Sequence, residues 1–391
     1  MIPLPVYFIS SFIRYTFFLR FGSISPLFLT ISTKVFVDFF SLSCIIASCV
    51  YSVKQVILLK KRDNYFDNVR FFLIFLVVFG HLMRPYIHDS PFVYALYMVI
   101  YSFHMPAFIF VSGFFAKNIQ RPGYIKKAAE KLLLPFLIFQ FIYSLFYFWI
   151  EHEEALSFRL LIPEWSLWFL ISLFFWHVLL LGAVKWLKNP VAALFLSIAA
   201  GVAIGLANES LTILSIGRTF VFFPFFLAGY YAKREWLQPL FYPLIRILLS
   251  LAAAGLFLYC YVHTNMQIEW LFGSQSYAAL GAEPLDGLFL RLFVYAINVV
   301  MIAFVLSIVS HRMFFFTSWG RNTLYVYLLH GFFVQSSRRV DTLELPPSLL
   351  VLGLTAAALT FALASPWTAS LFRPFLELKR PGFLTKKENQ S

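Results

Sequence analysis

Charge is what this sequence has least of. Asp, Glu, Lys and Arg make up 13% of its 391 residues, against about 25% in an ordinary soluble chain. Acidic residues are the scarcer sign, 18 Asp plus Glu to 31 Lys plus Arg, for a net charge of +13. Cysteine is nearly absent. Cys44, Cys49 and Cys260 lie in apolar surroundings without metal-ligand spacing, which excludes a disulfide framework and a zinc site. No internal repeat is visible, so the inverted-repeat signature of many secondary transporters is missing, and no tract is of low complexity. The opening residues carry neither a charged n-region nor a small-x-small cleavage site, so they do not read as a signal peptide.

What is present is apolar. Hydrophobic residues reach 61%, with 50 Phe and 20 Tyr, and the mean hydropathy is +0.79. A soluble fold has nowhere to hide so many large rings, so the expected class is an all-α polytopic membrane protein. The basic excess does not point to nucleic acid, because the Lys and Arg fall in short loops between apolar runs. About ten membrane helices are expected, at 69–87, 93–115, 132–150, 167–186, 191–207, 219–232, 244–262, 290–309, 319–335 and 349–371. They form a domain over 62–376, followed by a basic tail, 377–391. Residues 1–61 form an N-terminal extension, which is either one extra membrane helix at 35–53 or a segment outside the functional domain. The sixth and ninth spans are short and hold Pro224, Gly229, Gly320 and Gly331, so breaks or tilts are expected there, where protein surrounds the backbone.

Loop charge sets the orientation. One side carries Lys60, Lys61, Arg62, Lys117, Arg121, Lys126, Lys127 and Lys131, and the other is mixed, with Arg84, Asp89, Glu151, Glu269 and Asp286. The positive-inside rule then puts the start of the first span and the C-terminus in the cytoplasm, in a multi-pass protein of the cell membrane. The longest loop on the opposite side, 264–287, reads either as a cover over an outward-facing cleft or as a plain connection with interfacial aromatic anchors.

Chemistry concentrates in the first span. Arg70 and His81 are eleven residues apart, which on a helix comes to three turns plus about 20° and a separation of about 16 Å. They share one stripe, and a His within the hydrocarbon is by default a functional residue. Asp67 precedes Arg70 at i, i+3 spacing and suits the positive end of the helix dipole. His104, in the next span, falls at comparable depth, and two histidines there fit proton handling; each also fits a core role bonded to a carbonyl. Arg121, Lys126, Lys127 and Lys131, ahead of the third span, read as a topology determinant drawn to anionic lipid or as a dock for a polyphosphate cofactor.

Several stretches share a pattern: FDNVR (66–70) with ten residues between Arg70 and His81, FHMPAFIFVSGFF (103–115), KKAAEKLLLPF (126–136), SLWFL (166–170), GRTFVFFPFFLAGYYA (217–232) and GRNTLYVYLLH (320–330). Together they resemble the integral-membrane acyltransferase type 3 family, and within it the fucose 4-O-acetylase-like subgroup, over about 62–375. The resemblance implies ten spans and O-acylation of a carbohydrate hydroxyl, in a cell-envelope glycan or its precursor. It implies acetyl-CoA or another acyl-CoA as cytoplasmic co-substrate, with no permanently bound cofactor and no metal. By position His81 is the essential histidine and Arg70 its partner, with Asp67 and His104 beside them as catalytic candidates. Arg70, Lys126, Lys127 and Lys131 are the candidates for the CoA phosphates, and Trp168, Arg218, His330 and Tyr101 for the sugar. One departure stands out: the family's Arg-x-x-Arg ahead of the third span is here Lys127 and Lys131, with Ala128 in the aligned slot. The expected partners are a carbohydrate acceptor and membrane lipid. The competing function is a proton-coupled transporter or flippase with His81 and His104 as a relay.

Overall fold

An apolar run in hydrocarbon must satisfy its backbone N–H and C=O groups internally, and helix is how this chain does so. The computed structural model describes residues 63–151, 159–207, 211–339 and 348–377; the extension 1–61 and the tail from 378 lie outside them. Helices α1 (Asn64–Met83), α2 (Pro91–Tyr101), α3 (His104–Phe114), α4 (Tyr124–Ile150), α5 (Trp168–Trp186) and α6 (Pro190–Ala203) come first. They are followed by α7 (Ile216–Tyr231), α8 (Pro243–Val262), α9 (Pro284–Ile308), α10 (Thr323–Ser337), α11 (Leu349–Ala364) and α12 (Pro366–Glu377). No strand occurs among the described residues.

The fold is that of an all-α polytopic membrane protein. Among the described residues, seven helical segments are long and apolar enough to cross a bilayer, and the α11–α12 pair, bent by 51°, makes an eighth if taken as one span. Two of the ten expected spans fall short by length: α6 with its 3-10 extension ends at Leu206, and α10 has 15 residues.

One of the two expected breaks is present: the ninth span is interrupted at Asn322, where a 3-10 turn, Thr317–Arg321, gives way to α10. The sixth segment runs unbroken through Pro224. Pro224 leaves the Phe220 carbonyl without its donor four residues on, and Gly201 packs against that oxygen so closely that a Cβ there would lie 2.8 Å away. The second segment breaks instead, between Tyr101 and His104. Pro106 deprives the Ser102 carbonyl of a helical donor, and the Asn298 amide, turned to satisfy both its neighbours, donates to it from 3.1 Å.

α1 is the central helix, 72% buried over its apolar window, whereas α8 is 11% buried and forms the outer wall. The first turn of α1 is pinned from the far end of the chain. Asn68 Nδ2 donates to the Ser310 and Arg312 carbonyls, both at 2.8 Å, and Thr317 Oγ1 donates to Asn68 Oδ1 at 2.7 Å. α3 and α7 cross in backbone contact. A Cβ on Gly113 would meet the Phe226 carbonyl oxygen at 1.9 Å, and one on Gly229 the Phe110 carbonyl oxygen at 1.9 Å. Both helices therefore bring their N-terminal residues, His104 and Arg218, to the same end, where α1 delivers His81.

Candidate active site

His81 occupies the last turn of α1, two residues before the helix ends, so it stands near one end of the span rather than at its middle. Its backbone carbonyl accepts a 2.8 Å hydrogen bond from Arg338 Nη2, which fixes that turn. Its ring lies against Trp165 (centroids 4.7 Å apart) and His330 (5.5 Å), and the Tyr101 hydroxyl stands 3.4 Å from Nδ1. His104 joins from α3, its ring edge-on to Tyr101 at 4.4 Å.

The histidines divide by hydrogen bonding. His104 Nδ1 is 3.0 Å from the Ile100 carbonyl and His330 Nδ1 2.9 Å from the Val326 carbonyl, each four residues back. A carbonyl only accepts, so both rings carry a proton on Nδ1, and in a neutral imidazole that leaves Nε2 as the acceptor. His330 is fully buried, and its Nε2 has no hydrogen-bond partner among the described residues. These are the bonds to a carbonyl that a core role would require; among the described residues the His81 ring makes none of that kind, and its hydrogen-bond partner is the Tyr101 hydroxyl.

A cavity of about 230 Å³ opens beside these rings, lined by His81, His104, Tyr101, Trp165, Trp168 and Tyr327 among others. Among the described residues that line it are three guanidiniums, those of Arg84, Arg218 and Arg338, and no carboxylate. Arg218 lies over the Trp168 ring at 4.8 Å, a cation–π contact. A second cavity of about 200 Å³ lies toward the Arg70 end of α1 and is apolar except for Arg70, Ser112, Thr323 and the Tyr327 hydroxyl. Val77, Met105 and Tyr327 line both cavities, so the two meet across one thin wall.

At the Arg70 end, the Asp67 carboxylate bridges two cations: Arg70 Nη1 is 3.4 Å from Oδ1 and Arg321 Nε 3.7 Å from Oδ2. The Arg70 guanidinium also lies 4.3 Å from the centre of the Phe115 ring. Lys126, Lys127 and Lys131 are exposed on the first two turns of α4, and Leu132 from the same helix lines the Arg70 cavity.

This arrangement, an Arg and a His at opposite ends of one buried helix with a cavity at each, coincides with a family match. The acyltransferase domain model covers residues 63–365. The chain belongs to the integral-membrane acyltransferase type 3 family. Among curated proteins it is similar to the nodulation protein NolL of Sinorhizobium fredii (strain NBRC 101917 / NGR234), 37% identical over 83 residues. That match takes in 19% of this chain and 23% of NolL, so it spans less than a quarter of the relative. No solved structure matches.

As a membrane acyltransferase the chain assembles its expected residues in two groups. His81, His104, Tyr101, Trp168 and Arg218 line one cavity, with His330 packed behind. Asp67 and Arg70 meet at the other end of α1, and the three lysines lie on the helix whose Leu132 lines that cavity. The loop 264–287 contributes Leu271 and Phe272 to the His81 cavity, which favours its role as a cover. Trp165, Arg84, Arg338 and Tyr327 were not singled out by the sequence. Trp165 and Tyr327 had a signal, since Trp165 opens the same Trp-Ser-Leu-Trp run as Trp168 and Tyr327 falls within the 320–330 stretch three residues before His330; Arg84 and Arg338 are brought in by tertiary packing.

Proposed function

We propose that the protein moves an acyl group, acetyl for preference, from acyl-CoA at the Arg70 end to a carbohydrate hydroxyl in the His81 cavity. The observation that carries this reading is the pair of cavities sharing Val77, Met105 and Tyr327. A thioester admitted past Arg70 and an alcohol admitted beside His81 would meet at that wall. His81 takes the hydroxyl proton as general base, and the alkoxide oxygen attacks the thioester carbonyl. The C–O bond forms and the C–S bond breaks through a tetrahedral oxyanion, and the proton held on His81 passes to the departing thiolate. The Tyr101 hydroxyl, 3.4 Å from His81 Nδ1, steadies the imidazole or donates to the oxyanion.

Arg70 offers a forked donor to CoA phosphates, with Lys126, Lys127 and Lys131 adding positive charge at the same mouth. Loop charge supports a cytoplasmic Arg70 end, so the donor and acceptor would approach from opposite faces. The acceptor is a cell-envelope glycan or its precursor, with Trp168 and Arg218 as its binding surface.

Purified protein in detergent, supplied with radiolabelled acetyl-CoA and a cell-envelope glycan extract as acceptor, tests this. Wild type is expected to bind it and cleave the thioester, His81→Ala to bind it but lose about 10²–10⁴-fold in turnover, and Arg70→Ala to bind it more weakly. Wild type that neither binds nor cleaves acetyl-CoA would sink the proposal and favour a transporter.

A further inference from the structure

The last expected span, 349–371, does not run straight. α11 ends at Ala364, and α12 leaves it at 51°. At about 1.5 Å per residue the 16 residues of α11 reach about 24 Å, short of a hydrocarbon layer of about 30 Å. The first turn of α12 is needed to complete the crossing.

The bend is written into the chain. Pro366 has no N–H for the Ala362 carbonyl four residues back, which accepts instead from Ser365 N at 3.3 Å and from Thr368 Oγ1 at 2.7 Å. Ser365 Oγ accepts from Thr368 N at 3.2 Å and so caps the new helix. A further bond sets its place in the molecule: Asn322 Nδ2 donates to the Ala364 carbonyl at 2.7 Å, next in sequence to Arg321 and its contact with Asp67. α12 therefore begins at the Arg70 end, and it packs against α4 and α10.

The sides of α12 differ. Ala369 and Phe372 pack against the core. Trp367 and Leu371, four residues apart and so on one stripe, face outward, and Trp367 at 88% is the most exposed large apolar side chain among the described residues. Ser370 and Arg373, three residues apart, are exposed on the adjoining stripe. A short helix with Trp and Leu along one edge and polar side chains along the next suits the plane of a membrane interface. The sequence beyond it is basic, with Lys379, Arg380, Lys386 and Lys387 against Glu388 over residues 378–391. Cations that follow an interfacial helix draw anionic headgroups. Acyl transfer as proposed above uses neither the outer edge of α12 nor this basic run.

We propose that α12 lies in the headgroup layer at the Arg70 end and, with the basic residues after it, binds anionic phospholipid. Trp367 and Leu371 enter among the lipid chains, Ser370 and Arg373 meet the aqueous side, and the cations beyond Glu377 attract the phosphodiester groups. The proposal stands whether or not the acyl-transfer reading does.

The test uses the full-length protein with Cys44→Ala, Cys49→Ala and Cys260→Ala, labelled with bimane at Leu371→Cys or Ser370→Cys, in phosphatidylcholine nanodiscs. Lipid brominated near the headgroup should quench the Leu371→Cys label more than lipid brominated near the chain end. Leu354→Cys, exposed on α11, should show the reverse order. Iodide should quench the Ser370→Cys label more than the Leu371→Cys label. When phosphatidylglycerol and phosphatidylcholine are present in equal amounts and one or the other carries the bromine, phosphatidylglycerol should be enriched about fivefold at Leu371→Cys, the equivalent of one Lys or Arg near an anionic surface. Replacing Lys379, Arg380, Lys386 and Lys387 together by Gln should abolish that preference and leave the depth unchanged.

Stronger quenching of Leu371→Cys by chain-end bromine would make α12 a continuation of the span and overturn the proposal. Equal iodide quenching at both positions would place the helix in water and do the same. Equal quenching by the two lipids, or a preference that survives the fourfold Gln variant, would remove the anionic partner.

Discussion

Trp165 shows how the site is held at the scale of single residues. Its backbone sits at φ 37, in the left-handed region where a non-glycine residue is strained, and this turn brings its ring against both His81 and His330. Gly331 makes the room, since a Cβ there would fall 2.3 Å from the Trp165 ring. Glycine adopts that φ without penalty, so Trp165→Gly should unfold at a higher temperature than Trp165→Ala, although both lose the ring and most of the turnover. Thermal unfolding in detergent with parallel activity assays decides it; the reverse order of stabilities would remove strain from the account. Asp67 is a second case. Its carboxylate is buried between Arg70 and Arg321, about 21 Å from His81 along the helix, so it can orient Arg70 but cannot reach a proton at His81. Asp67→Asn should destabilise the fold by about 1.5–3 kcal/mol, the worth of hydrogen bonds to charged groups. An unchanged melting temperature would contradict that.

At the scale of elements, the crossing of α3 and α7 decides where His104 and Arg218 point. The two glycines at that crossing each face the carbonyl of the other helix, so a methyl on either must push the helices apart. Gly113→Ala and Gly229→Ala should each cost about 1–3 kcal/mol through overpacking and reduce turnover. The double variant should cost less than the sum, because one separation accommodates both methyls. Gly353→Ala is the control: its nearest neighbour would be 3.9 Å away, and the helix should gain about 0.5–1 kcal/mol. Purely additive losses in the double variant would show that the two glycines do not share a contact. The helices themselves were legible as apolar runs of membrane length. The break before His104 was not, because it depends on Asn298, almost two hundred residues on, meeting the carbonyl that Pro106 leaves open.

For the molecule as a whole, the two-cavity arrangement has a direction that loop charge assigns. In a variant lacking the three natural cysteines, Lys126→Cys should react with a membrane-impermeant maleimide only after the cells are made permeable, and Glu269→Cys in intact cells. Both labelled from the same face would reverse or refute the orientation, and with it the donor and acceptor sides.

The sequence by itself determined the class of fold, the Arg70 to His81 helix and the family, because composition, helical period and local motifs are properties of neighbouring residues. It also named His104, Arg218, Trp168 and His330 as partners without saying where they meet. Only the tertiary structure decided that. His81 is met by Trp165 from the loop before α5, by His330 from α10 and by Arg338 just beyond it. These contacts join positions up to 257 residues apart, and no local pattern encodes a contact whose geometry is set by helices packing against one another. An apolar cavity on the outer wall is the clearest example: its walls come from α2, α8 and α9 and from the loop that follows α8, and each of these taken singly is an ordinary apolar or connecting stretch.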